Sequence, residues 1–316
     1  MRAGRFATAL KIALSLLLLV LVFRNVDGRE VAAAVARVRP ATLALAVALA
    51  LVGYAGRAWR WMWLLRRAGV EIPFSTSYRL TLVGTLYGLA TPGRVGEFAR
   101  ALHLGVPRAQ SLPSVLWDRL GDVILLEILA LPAFVALDAW HGGLVAVYVG
   151  MVAVTAALVW ALDDPRVLER LARAFPGAAG RIARVRSGTA GVLRSRAFVR
   201  GLVAGTFFYA LNFAGAWMLL RDLAPASPAA VALVFPVIIL LGNLPVAFGG
   251  LGLREQVAAL AFARFGAAEA TGPVFSLLWF AVITLLPGLV GALLAAAHRP
   301  RSPARRAARP EAPLRG

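Results

Sequence analysis

Ala247-Phe248-Gly249-Gly250-Leu251-Gly252-Leu253-Arg254-Glu255 closes an apolar run that begins at Val231. Gly249, Gly250 and Gly252 interrupt the run, and Arg254 and Glu255 follow at once, a pattern foreign to an ordinary membrane-spanning helix. Irregular backbone at bilayer depth is tolerated only where protein or a water-filled cavity covers it. Ionisable side chains at that depth are costly and by default mark a functional site. A second interruption lies in the first half of the chain, at Ala90-Thr91-Pro92-Gly93-Arg94-Val95-Gly96-Glu97. Two such breaks in the two halves of one hydrophobic chain point to a transport site.

The rest of the composition agrees with burial in lipid. Of 316 residues, 60% are hydrophobic and 16% are charged, against about 25% charged in a soluble globular chain. Several apolar runs approach the roughly 20 residues that cross a bilayer as a helix, and none shows the two-residue alternation of a membrane β-barrel. The net charge of +19 is carried almost wholly by arginines. They flank the apolar runs, as topology and anionic headgroups require, which argues against nucleic acid as the partner. With no cysteine, thiolate chemistry, disulfides and cysteine–metal sites are excluded. His103, His141 and His298 have no metal-ligand spacing. No Walker loop or dinucleotide fingerprint occurs, so neither a nucleotide nor any other cofactor is implied.

The expected fold is an all-α polytopic transmembrane helix bundle with about six full spans plus two re-entrant, broken-helix hairpins, arranged as an inverted repeat. Residues 1–298 form a single membrane domain, and 299–316 form a disordered basic tail. The first apolar run, about 6–23, is expected to be an uncleaved anchor. The second span covers about 41–56; after it Arg57, Arg60, Arg66 and Arg67 interleave with Trp59, Trp61 and Trp63, which reads as anchoring at a headgroup interface. Residues 163–200 hold nine arginines and only three acids, Asp163, Asp164 and Glu169. That places this segment, and with it the C-terminus, in the cytoplasm of a cell (plasma) membrane protein. With both fixed, the hairpins at 74–107 and 229–265 enter from opposite sides.

Each break is expected to offer a helix N-terminus inside the membrane, at Gly96 and Gly252, where free N–H groups and the helix dipole attract anions. Arg94 and Arg254 stand beside these termini, and guanidinium forks suit phosphate oxygens. The helix at 114–137 adds Asp118, Arg119, Asp122 and Glu127; Asp118 and Asp122 share a face, and Arg119 pairs with Asp122. The candidate substrate-binding set is therefore Arg94, Glu97, Arg100, Asp118, Arg119, Asp122, Gly249, Gly250, Gly252, Arg254 and Glu255. The competing reading is that these acids and arginines pair only to make buried charge survivable.

Four patches also carry a resemblance: Arg57 with Arg60, Pro92-Gly93-Arg94-Val95-Gly96-Glu97 with Arg100, Ser114-Val115-Leu116-Trp117-Asp118-Arg119 with Asp122, and Gly249-Gly250-Leu251-Gly252-Leu253-Arg254-Glu255. In this order they resemble the membrane region of lysylphosphatidylglycerol synthases and flippases, over about residues 11–297. That region also occurs alone as flippase-like membrane proteins. The resemblance implies movement or handling of phosphate-headgroup lipids. The soluble aminoacyl-transferase domain of the fused members has no counterpart in this sequence, so aminoacyl transfer is not expected. Pro92-Gly93-Arg94 stands where many relatives carry a more glycine-rich turn. The alternative function is a membrane enzyme or accessory factor acting on polyprenyl-phosphate-linked substrates, which would need a catalytic carboxylate such as Asp118 or Glu255.

Overall fold

The computed structural model describes residues 28–89, 91–136, 142–225, 227–243, 253–263 and 271–297. The apolar run at 6–23, the glycine break with Gly249, Gly250 and Gly252, and the basic tail lie outside the described residues.

Every regular element among the described residues is helical. α1 (Gly28–Arg37) precedes α2 (Pro40–Arg67), whose first turn is set by Pro40. α3 (Phe74–Leu89) leads to a 3₁₀ segment, Pro92–Phe98, and a one-turn α4 (Ala99–Leu102). Then come α5 (Arg108–Ala136), α6 (Gly142–Asp163), α7 (Pro165–Ala174), α8 (Ala179–Thr189) and α9 (Arg196–Leu223). The chain ends in α10 (Pro228–Gly242), α11 (Leu253–Ala263) and α12 (Thr271–Ala297), a helix with a π segment at Ala281–Leu285. Side-chain caps start three of them: Asp164 accepts from the Arg166 N–H, Ser195 from Phe198 and Ser227 from Ala230.

This is a multi-pass membrane protein. Four helices among the described residues, α2, α6, α9 and α12, are long and apolar enough to cross a bilayer. α5 has the length, at 29 residues, but Asp118, Arg119, Asp122 and Glu127 interrupt its apolar surface. α3 and α10 are short: 16 and 15 residues give about 24 Å and 22 Å of helix, less than the roughly 30 Å of hydrocarbon.

Packing fixes the relative directions. α2 and α9 run antiparallel. Arg39, at the start of α2, holds Asp222 at the end of α9 through a 2.8 Å ion pair. At the other end, Arg67 donates to the Ala190 carbonyl at 2.8 Å, just before α9 begins. α12 runs antiparallel to α3: Gly288 lies against Leu86, and Gly291 lies against Leu82 and Val83. The return of the chain after α3 is close. A Cβ on Gly96 would stand 2.0 Å from the Tyr87 carbonyl oxygen, so only glycine fits there. The apolar core runs along these contacts, with Phe208, Leu219, Phe235, Leu240, Phe275 and Trp279 buried in one cluster.

One feature of α12 prepares the site. Pro287 lacks the N–H that would bond the Ile283 carbonyl four residues back. The Tyr54 hydroxyl from α2 donates to that carbonyl instead, at 2.7 Å. The repair ties α2 to α12 where Ile283 and Thr284 border the central cavity.

Candidate functional site

A cavity of about 70 Å³ opens between α2, the 3₁₀ return, α5, α9, the end of α10, the start of α11 and α12. Arg57, Arg94, Arg119 and Arg254 line it, with Asp122 as the one carboxylate among the lining residues. Tyr54, Phe208, Tyr209, Trp279 and Phe280 form its aromatic walls. Arg94 and Arg254, one from each interrupted segment, thus face the same hollow.

Behind this lining lies a continuous ion network. Arg57 on α2 reaches Asp122 at 2.9 Å and Glu97 at 3.4 Å. Arg60, one turn on, grips Asp118 at 2.5 Å and Asp122 at 2.6 Å. Arg119 contacts Glu97 at 2.7 Å, Asp122 at 3.0 Å and Asp118 at 3.6 Å. Arg94 leans on Glu97 at 3.2 Å, and Arg100 pairs with Asp118. Arg254 forms a separate pair with Glu255 at 2.7 Å, and Ser276 bridges the two, accepting from Arg254 and donating to Glu255 at 3.0 Å each. Aromatic faces add to the holding of the cations: Arg100 lies 4.4 Å from the Trp61 ring centroid and Arg254 4.5 Å from that of Phe280.

Exposure separates supporting groups from presenting groups. The side chains of Arg94 and Arg119 are 22% and 19% exposed and that of Arg254 10%, whereas Arg100 and Asp118 are fully buried. Among the expected substrate-binding residues, Arg94, Arg119, Asp122 and Arg254 border the cavity. Glu97, Arg100, Asp118 and Glu255 stand behind and orient the arginines. Glu127 lies apart, accepting from Thr155 of α6 at 2.7 Å.

Two expectations need correction. Arg57 and Arg60 do not anchor the protein at a headgroup interface: they are 3% and 1% exposed and belong to the network. α2 continues unbroken to Arg67, and residues 57 and 60 fall on the inward helical face of Tyr54, Trp61 and Leu64. Their three-residue spacing in step with Tyr54 and Trp61 was the available signal. Second, no helix N-terminus forms at Gly96. The chain there is 3₁₀, α4 has only four residues, and the Gly96 N–H is taken by the Thr91 hydroxyl at 2.6 Å. Gly252, the other expected terminus, lies outside the described residues. Among the described residues, the groups at the cavity suited to an anion are the guanidinium groups of Arg57, Arg94, Arg119 and Arg254.

Arg94 is the one non-glycine residue with positive φ among the described residues, at 57°. That left-handed conformation costs an arginine about 1–2 kcal/mol relative to the right-handed region. Strain of this kind persists where the surroundings enforce it, typically at functional sites. Arg94→Gly removes the strain and the side chain together. It is expected to melt within about 1 kcal/mol of the parent protein. Thermal unfolding in detergent checks this.

An antiparallel helical membrane fold built around a sheltered arginine cluster defines a polytopic protein with an internal polar site. The family model described as the lysylphosphatidylglycerol synthase TM region matches residues 8–291, and the chain belongs to that family. No curated protein matches the chain.

Proposed function

We propose that the protein is a flippase-like transporter that moves phosphate-headgroup lipids between leaflets of the cell membrane. The observation that carries this reading is the cavity lined by Arg57, Arg94, Arg119 and Arg254 and bordered by aromatic rings. Guanidinium groups bind phosphate oxygens through charge-assisted, often bidentate hydrogen bonds. The guanidinium groups replace the water that the headgroup sheds on entering the cavity, while the acyl chains stay in lipid.

In this reading α3 with its 3₁₀ return, and α10 with α11, are re-entrant hairpins that meet at the cavity from opposite sides. Their lengths support it, and so does the presence of Leu89 and Arg94 from one and Gly242, Asn243 and Arg254 from the other in the cavity wall. The arginine-rich segment 163–200 faces the cytoplasm. The alternative, a lipid-modifying enzyme or accessory factor, needs a carboxylate free to act. Asp118 is fully buried and clasped by Arg60 and Arg100, and Glu255 is bound to Arg254 and Ser276, which favours transport.

The test is leaflet exchange of fluorescent phospholipids in reconstituted vesicles. Arg254→Ala is expected to slow exchange about tenfold, the effect of one lost charged hydrogen bond. Because that change removes the cation paired with Glu255, Arg254→Met combined with Glu255→Leu serves as the folded control, since a buried pair replaced by apolar side chains is tolerated. Exchange at the same rate with and without protein refutes the proposal, as does full activity in the double variant.

A further inference from the structure

We infer that the site is built for a compact phosphate monoester on a lipid, with two negative charges, in preference to the phosphodiester of ordinary phospholipids; the inference rests on the headgroup-binding reading above. Charge balance is the first ground. Among the described residues, Arg57, Arg60, Arg94, Arg100 and Arg119 pair only with Glu97, Asp118 and Asp122, an excess of two positive charges, while Arg254 and Glu255 cancel. Uncompensated charge inside a membrane protein is costly. A phosphodiester carries one negative charge and leaves part of the excess; a monoester carries about −1.5 to −2 at pH 7 and closes it.

Hydrogen-bonding capacity is the second ground. Arg57 lines the cavity, is 3% exposed, and its Nε has no hydrogen-bond acceptor among the described residues. Buried N–H groups are normally satisfied, and a monoester brings three terminal oxygens where a diester brings two. Size is the third. About 70 Å³ is room for roughly five water-sized groups, enough for a phosphate. The wall also offers no acid to a choline or ethanolamine: Asp122, its one carboxylate, is already held by Arg57, Arg60 and Arg119.

Native mass spectrometry of the full chain, titrated with dioleoyl phosphatidic acid, dioleoyl phosphatidylglycerol or dioleoyl phosphatidylcholine, reads the preference directly. The monoester lipid is expected to bind at least about tenfold more tightly than the diester at about pH 7.5. The ratio should shrink at about pH 5, where the monoester loses its second charge and the arginines keep theirs. Arg94→Gly, which removes one of the two excess charges, should bring the ratio toward one. Inorganic phosphate in the same titration separates the sources: competition only at concentrations far above the lipid's is the expected result, and competition at equal concentration overturns the lipid assignment. Equal binding of monoester and diester refutes the inference and leaves the transport reading intact. Monoester preference without leaflet exchange refutes transport and leaves the site's chemistry standing. Binding of none of the lipids refutes both.

Discussion

Asp118→Ala is expected to cost about 3–5 kcal/mol, the range for removing one partner of a buried ion pair. Asp118 is fully buried and serves three arginines: Arg60 at 2.5 Å, Arg100, and Arg119 at 3.6 Å. Its removal leaves Arg100 without its carboxylate and Arg60 with Asp122 alone, both beside a void. Arg60 Nη1 and Arg100 Nε and Nη1 already lack hydrogen-bond acceptors among the described residues, so the loss falls hardest on Arg100, while Arg60 keeps Asp122 at 2.6 Å. Because α2, α4 and α5 are joined at this one carboxylate, the loss should appear as a large fall in melting temperature in detergent, followed by tryptophan fluorescence. Asp118→Asn should fall between, since the amide keeps the volume and one acceptor but adds a third excess positive charge. A melting point for Asp118→Ala within about 1 kcal/mol of the parent would show that water reaches this cluster. The same result would remove the premise that the arginine excess is unscreened.

The measurement also separates two roles the sequence runs together. Asp118 and Asp122 lie one turn apart on α5, and both are acids in a membrane segment. Only their surroundings distinguish them: Asp122 touches the cavity, and Asp118 sits behind it. Helical class and the multi-pass character were legible because length and hydropathy are local properties. The meeting of Arg94 with Arg254 was legible too, because each stands beside its break. The roles of Arg57 and Arg60 were not. Arginine alternating with tryptophan has the appearance of an interfacial anchor until α2 is known to run through to Arg67, which turns these two inward while leaving Arg66 and Arg67 exposed. The expected helix start at Gly96 failed for a similarly local reason. The Thr91 hydroxyl satisfies the Gly96 N–H, and the chain folds back on Tyr87 before a helix can form.

Gly56→Ala is the second change with a large expected effect, about 3 kcal/mol, at the upper end of what overpacking costs. A Cβ at Gly56 would stand 2.3 Å from the Ala204 carbonyl oxygen of α9. That contact is with backbone, so no side chain can rotate away, and the two helices must part by about an ångström or more. Small residues line the seam for this reason: Gly53 faces Phe208 and Asn212, and Gly215 faces Ala46. Close backbone approach of this kind holds membrane helices together where lipid supplies no hydrophobic drive between them. The consequence reaches the site because Arg57 and Arg60 follow on the same helix. Gly201 and Gly205 of α9 lie against Arg60, where an added Cβ would meet its Cγ at 2.7 Å and its Nη1 at 2.9 Å. Moving α2 away from α9 therefore removes the backing that Gly201 and Gly205 give Arg60 and shifts Arg57 and Arg60 relative to Asp118 and Asp122 of α5. Gly56→Ala should accordingly lose both melting temperature and phosphate-lipid affinity. A variant of equal size on the lipid-facing side of the same helix, Val52→Leu, should lose neither, since Val52 is 53% exposed. Wild-type melting of Gly56→Ala would mean that α2 and α9 are further apart than their glycines require, and Arg60 would then have no fixed place between them.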